Sequence, residues 1–257
     1  MKRIRRTARI SYLLLCIVMC LIHIQMMYRI TYQTSVQHES SALLSSINPL
    51  YVTSSFLFII ASGIGFFGIL RLRPTSRNEV EKTVLPLTYT LFLFFTLPTI
   101  SSALYLETRY FNLERPYIAI LFMAFSFFLV TGVFQMGMNS SRVHRFYPFI
   151  PLLSFWVASL IPPYTQVTGK GLITSRLPPM ILLIALTLSF VTVLTYWGHF
   201  LQSRTRQTLV KAMRTTLVLS GGFVFVFGMN SSISLAGAVL YISGTSLGLY
   251  RGRSNLL

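Results

Sequence analysis

The sequence predicts an all-α fold: a polytopic integral membrane helix bundle of about eight transmembrane helices, both termini cytoplasmic, in a single domain over 1–257. Three observations lead there. Of the 257 residues, 53% are hydrophobic and 11% charged, whereas a soluble domain carries about 25% charged residues. The mean hydropathy of +0.65 comes from apolar stretches separated by short polar loops. The basic residues are concentrated in alternate loops, as membrane topology requires.

A bilayer core of about 30 Å takes roughly 20 apolar residues in helix. Stretches of about that length run near 10–30, 50–70, 83–106, 117–138, 147–163, 178–201, 214–229 and 232–250, the fifth and seventh being short. Residues 215–250 as one helix would be about 54 Å long, too long for one crossing. A polar turn at Met229-Asn230-Ser231-Ser232 divides them.

With the N-terminus in the cytoplasm, 17 of the 22 basic residues lie inside and five outside. That asymmetry sets the orientation. The net charge of +17 would point to nucleic acid in a soluble chain; here it follows the loops, and no nucleic-acid partner is expected. The five Glu (Glu39, Glu79, Glu81, Glu107 and Glu114) sit in or beside loops, and there is no Asp.

The first stretch follows a basic segment of Lys2, Arg3, Arg5, Arg6 and Arg9. Its apolar run is longer than a signal-peptide core and no Ala-x-Ala site follows, so a retained anchor is expected. Cys16, Cys20, His23 and Met27 recur at i, i+4, i+7 and i+11, which places them on one helix face. Such soft ligands suit copper(I) or zinc. One helix cannot close a tetrahedral shell, so packing is the expected role and no metal is assigned.

In the second stretch, Ala61 and Gly65 offer a small-residue face for helix packing. The third carries Thr96, Pro98, Thr99, Ser101 and Ser102 near its outer half. Pro98 cannot donate to the Phe94 carbonyl, which predicts a kink and makes Thr96, Pro98, Thr99 and Ser102, with Gln135 on the fourth stretch, a candidate polar lining. On the sixth, Tyr196 and Trp197 read as membrane-interface anchors, with His199 at headgroup depth.

The last two stretches are rich in glycine. Gly237, Gly244 and Gly248 line one helix face, and Gly221 and Gly228 offer a matching groove. Small residues at such spacings let helices approach closely, so a tight hairpin of the seventh and eighth stretches is predicted. Gly244-Thr245-Ser246-Leu247-Gly248 has the Gly-x-Ser-x-Gly spelling, but a nucleophile elbow needs a strand-to-helix turn with a partner His and acid. Neither accompanies Ser246, and a packing role fits better. A weak internal symmetry is visible, in that each four-span half has its longest cytoplasmic loop after its second span and the next span carries Pro98 or Gly221-Gly222 as a break; no residue-level self-similarity supports it, and no repeat is assigned.

Catalytic chemistry finds little to stand on. Ion-coupled transport usually uses acidic residues within the spans, and there are none. His144 beside Arg142 and Arg145 reads as a solvated basic turn. No catalytic residue, cofactor or metal is assigned. Basic pairs Arg71/Arg73, Arg204/Arg206 and Arg251/Arg253 at cytoplasmic helix ends are candidate contacts for lipid headgroups. The expected partners are therefore membrane lipids, with anionic headgroups on the cytoplasmic face, and a protein partner in the membrane. The leading functional expectation is a non-enzymatic sensor or accessory subunit of the cytoplasmic (plasma) membrane, acting through helix packing. The alternative is a permease for a neutral or lipid-like solute.

Overall fold

A computed structural model describes residues 2–36, 48–71, 79–98, 114–135, 147, 149–160, 179–228 and 231–254. Among them are eight α-helices: α1 (Lys2–Val36), α2 (Pro49–Arg71), α3 (Glu79–Leu93), α4 (Glu114–Gln135), α5 (Phe149–Leu160), α6 (Pro179–Ser203), α7 (Arg206–Phe227) and α8 (Ile233–Ser254). Four segments, Pro49–Leu70, Pro116–Val133, Pro179–Ser203 and Arg206–Phe227, are long and apolar enough to cross a membrane. Shorter apolar segments lie in α1, α3, α5 and α8.

One instructive difference from the predicted boundaries is at α7. It begins at Arg206, ahead of the apolar run at 214, because its first turns are polar but well capped. The Thr205 side chain accepts from the Thr208 N–H, satisfying one of the donors that a helix start leaves open. Arg204, at a positive φ of 47°, makes the sharp turn out of α6, and its N–H donates to the Phe200 carbonyl at 2.7 Å. At the other end the helix closes on Gly228, whose N–H donates to the Val224 carbonyl at 2.8 Å. The predicted division between the last two helices therefore falls at residues 228–232.

Two expected breaks resolve differently. After α3 the chain tightens into a 3-10 turn, Phe94–Thr96, and the Leu97 N–H donates to the Phe94 carbonyl. The carbonyl that Pro98 cannot serve thus finds a donor one residue earlier, and the tightening has an identifiable cause. Gly221-Gly222, by contrast, breaks nothing: α7 runs unbroken through both. The glycines are used for close approach rather than for a bend.

Helix neighbours close into a ring. α2 packs on α3, α3 on α4, α4 on α6, α6 on α7, α7 on α8, and α8 returns to α2. α1 rests on α2, and α5 on α4, outside this ring. The order α2–α3–α4 is matched by α6–α7–α8. The two four-helix halves differ in one respect: α1 leans on its successor α2 whereas α5 leans mainly on its predecessor α4.

Aromatic side chains fill the interior. Phe58 of α2 stacks between Phe225 of α7 (centroids 4.3 Å apart) and Tyr241 of α8 (4.0 Å). Phe92 of α3 meets Phe95 at 4.6 Å and Tyr241 at 5.4 Å, and Phe125 and Phe128 of α4 close the far side at 6.0 and 5.6 Å from Phe92. Each such ring pair adds about 0.5–1.5 kcal/mol beyond its buried area.

Candidate functional site

The glycine-lined hairpin is the most closely packed contact. A Cβ at Gly221 would fall on the backbone of Tyr241, with the Gly237 carbonyl oxygen 2.8 Å away. One at Gly237 would meet the Phe225 backbone, one at Gly244 the Val218 nitrogen at 2.8 Å, and one at Gly228 the Ser234 nitrogen at 2.6 Å. Backbone lies against backbone along most of the hairpin, which only residues without a Cβ permit. Gly248 lies on α8, with surroundings outside the described residues.

α2 joins the same seam. Ala61 is fully buried. The Ser54 and Ser234 hydroxyls are 2.6 Å apart, and Ser62 and the Tyr241 hydroxyl 3.1 Å apart. These two bonds give α2 a fixed register on α8. Gly65 makes room for the Tyr89 ring of α3, and Gly222 for the edge of Phe92. Gly132 of α4 faces Thr195 and Tyr196 of α6, a contact that the sequence reading missed. Its signal was a glycine in the middle of an apolar helix.

That contact corrects the reading of Tyr196. It is buried against α4 rather than placed as an interface anchor. Trp197 is half-buried and donates from Nε1 to the Thr216 hydroxyl of α7 at 3.0 Å. It therefore ties α6 to α7. His199, one turn before the end of α6, is half-buried.

The candidate polar lining is described only in part. Thr96 is fully buried and donates to the Leu93 carbonyl at 2.9 Å, and Pro98 is buried beside it. Thr99, Ser101 and Ser102 lie outside the described residues, as does the side chain of Gln135 at the end of α4. Other buried hydroxyls in the ring behave like Thr96. Thr88, Thr131, Ser189 and Thr192 each donate to the carbonyl four residues earlier in their own helices. Such back-bonding satisfies a hydroxyl without a ligand.

On α1, Tyr12, Met19 and His23 are buried, while Cys16 and Cys20 are half-buried. His23 Nδ1 lies 2.7 Å from the Met19 carbonyl oxygen. Among the described residues no three His, Cys, Asp or Glu side chains are grouped to hold a metal ion.

Of the basic pairs, Arg204 and Arg206 are exposed at the α6–α7 turn. Arg71, Arg251 and Arg253 belong to helix ends whose side chains are outside the described residues, and Arg73 lies outside them altogether. Sequence reasoning also missed two buried cations on α7, Lys211 and Arg214, only 7% and 3% exposed and each engaged by a neighbour. Their signal was periodicity. Thr208, Lys211, Thr215, Val218, Gly222 and Phe225 recur every three or four residues along the buried stripe, and its two charges hide it from a hydropathy profile.

The outer surface completes the picture. α1, α5 and α6 carry large apolar side chains in the open, among them Leu21, Leu152, Trp156, Leu183 and Phe190, all 59–67% exposed. No family model, curated protein or solved structure matches the chain. The functional reading therefore rests on this geometry: a filled aromatic interior, a glycine-packed hairpin, and apolar outer helices.

Proposed function

We propose that the chain is an eight-span integral membrane protein of the cytoplasmic (plasma) membrane, with both termini inside. It acts as a non-enzymatic sensor or accessory subunit through helix contacts with a protein partner. The carrying observation is the contrast between interior and exterior. The ring is filled by stacked aromatics such as Phe58, Phe92, Phe225 and Tyr241, whereas α1, α5 and α6 turn large apolar side chains outward. Soluble monomers rarely leave contiguous apolar patches of more than a few hundred Å², so lipid or another helix is the natural cover.

The topology follows from 17 of 22 basic residues on one side, and anionic headgroups there are the expected lipid partners. The partner helix would meet the large side chains of α5 and α6, because the glycine faces are already used within the hairpin. Native mass spectrometry of protein extracted from its own membrane in mild detergent tests this reading. A stoichiometric protein partner supports it. A lone chain or homodimer carrying a reproducible small solute overturns it in favour of a permease.

A further inference from the structure

The contact between α1 and α2 is unlike the others. Tyr12 stacks flat on Phe66, with centroids 3.7 Å apart and planes 4° from parallel. Four residues further along α1, Cys16 Sγ stands 4.0 Å from where a Cβ would sit on Gly63. The two helices are therefore antiparallel and in register, with Arg9 and Arg71 at the same end. Beyond the stack they leave a groove of about 330 Å³. Its walls include Leu13, Ile17 and Leu21 on α1 and Ile60, Gly63 and Phe67 on α2. Leu13, Ile17, Leu21 and Ile60 are exposed, so the groove opens outward.

Charge at the groove's end selects its occupant. Lys2, Arg3, Arg5, Arg6 and Arg9 occupy the first turns of α1, and Arg71 ends α2 at the same level. From Arg9 to Leu13 is one helical turn, about 6 Å. A molecule with an anionic head and a hydrocarbon tail matches both parts. We propose that the α1–α2 groove seats one acyl chain of an anionic phospholipid, with its headgroup at the basic end of the two helices. This rests on the membrane reading above, and it adds a specific site to the general attraction of lipid to basic loops.

Gly63 gives the means of testing it. A Cβ there would meet only Cys16 Sγ, at 4.0 Å, and Gly63 lines the groove, so Gly63→Leu is the substitution expected to fill it. Leucine also favours helix over glycine. The protein would be reconstituted in phosphatidylcholine vesicles containing a trace of phosphatidylglycerol or phosphatidylcholine with a diazirine in the acyl chain. Photo-adducts would then be mapped by peptide mass spectrometry.

The expected result is adducts on residues 13–21 and 60–67, favouring phosphatidylglycerol by roughly fivefold for each basic residue engaged. Gly63→Leu removes them but leaves adducts on the outer face of α6, such as Leu183 and Phe190, unchanged. Those α6 adducts also report folding of the variant. A combined Arg5→Gln, Arg6→Gln, Arg9→Gln variant lowers the phosphatidylglycerol preference while keeping the acyl contact. Equal labelling of the groove by both lipids, or groove labelling unchanged by Gly63→Leu, overturns the proposal. Absence of adducts from α6 as well would instead overturn the membrane reading on which it rests.

Discussion

The α7–α8 hairpin and the α1–α2 pair are both antiparallel contacts of apolar helices, yet they pack at opposite extremes. In the hairpin, glycines on both helices coincide: Gly221 faces Gly237 and Tyr241, and Gly244 faces Val218. The backbones touch and no space remains. In the other pair Gly63 faces only the Cys16 side chain, at contact distance, and a groove opens beside it. A glycine thus closes a helix contact when its partner also presents backbone. Where the partner presents a side chain the outcome depends on its reach: the Tyr89 ring fills the space at Gly65, whereas at Gly63 Cys16 leaves a groove beside it.

The comparison is broken most severely by filling the hairpin. Gly237→Leu drives a side chain into the Phe225 backbone, where relief requires the helices to separate. Overpacking of this kind costs about 3 kcal/mol or more at its upper range. Reversible unfolding by steric trapping or denaturant in detergent should show that loss. A variant as stable as the parent sinks the backbone-contact account.

Next in size is Arg204, whose positive φ of 47° suits glycine better than any side chain that must tolerate it. Arg204→Gly is expected to raise stability by up to about 1 kcal/mol. A lower unfolding midpoint would mean that the exposed guanidinium contributes more than the turn costs. Smaller still is Ser62→Ala. Losing the Tyr241 contact should cost about 0.6 kcal/mol, the average for hydrogen bonds between membrane helices. A double-mutant cycle with Tyr241→Phe checks the coupling, and a coupling of zero removes Ser62 from the register of α2 on α8. Gly63→Leu should move the unfolding midpoint least, because its Cβ meets only Cys16 Sγ, at an ordinary contact distance of 4.0 Å. A loss as large as that of Gly237→Leu would erase the distinction between the two pairs.

Much of this fold was legible in order along the chain and little of it in space. All eight helices announce themselves as apolar runs, because length and hydropathy are local properties. The start of α7 was misplaced because Lys211 and Arg214 interrupt hydropathy, although Thr205 capping Thr208 was available as a signal. Gly221 and Gly222 read equally as a break or as a contact until the partner is known, and the partner is non-local. Tyr196 is ambiguous for the same reason: an aromatic ring with a polar tip suits an interface or a core. The closure of α8 onto α2, and the resting of α1 and α5 outside the ring, depend on tertiary choices that no window of sequence contains. The groove between α1 and α2 is likewise a property of two distant segments.

The proposed function requires a dry ring, with the partner-binding surfaces outside it. Its most direct test is the reactivity of a thiol placed inside, using Ser62→Cys in a Cys16→Ser, Cys20→Ser background. Ser62 is fully buried beside Tyr241. In sealed vesicles a charged methanethiosulfonate reagent, added to either side, should leave Cys at this position unmodified until the protein is denatured. Rapid modification from one side or both would reveal an aqueous path through the ring and contradict the account.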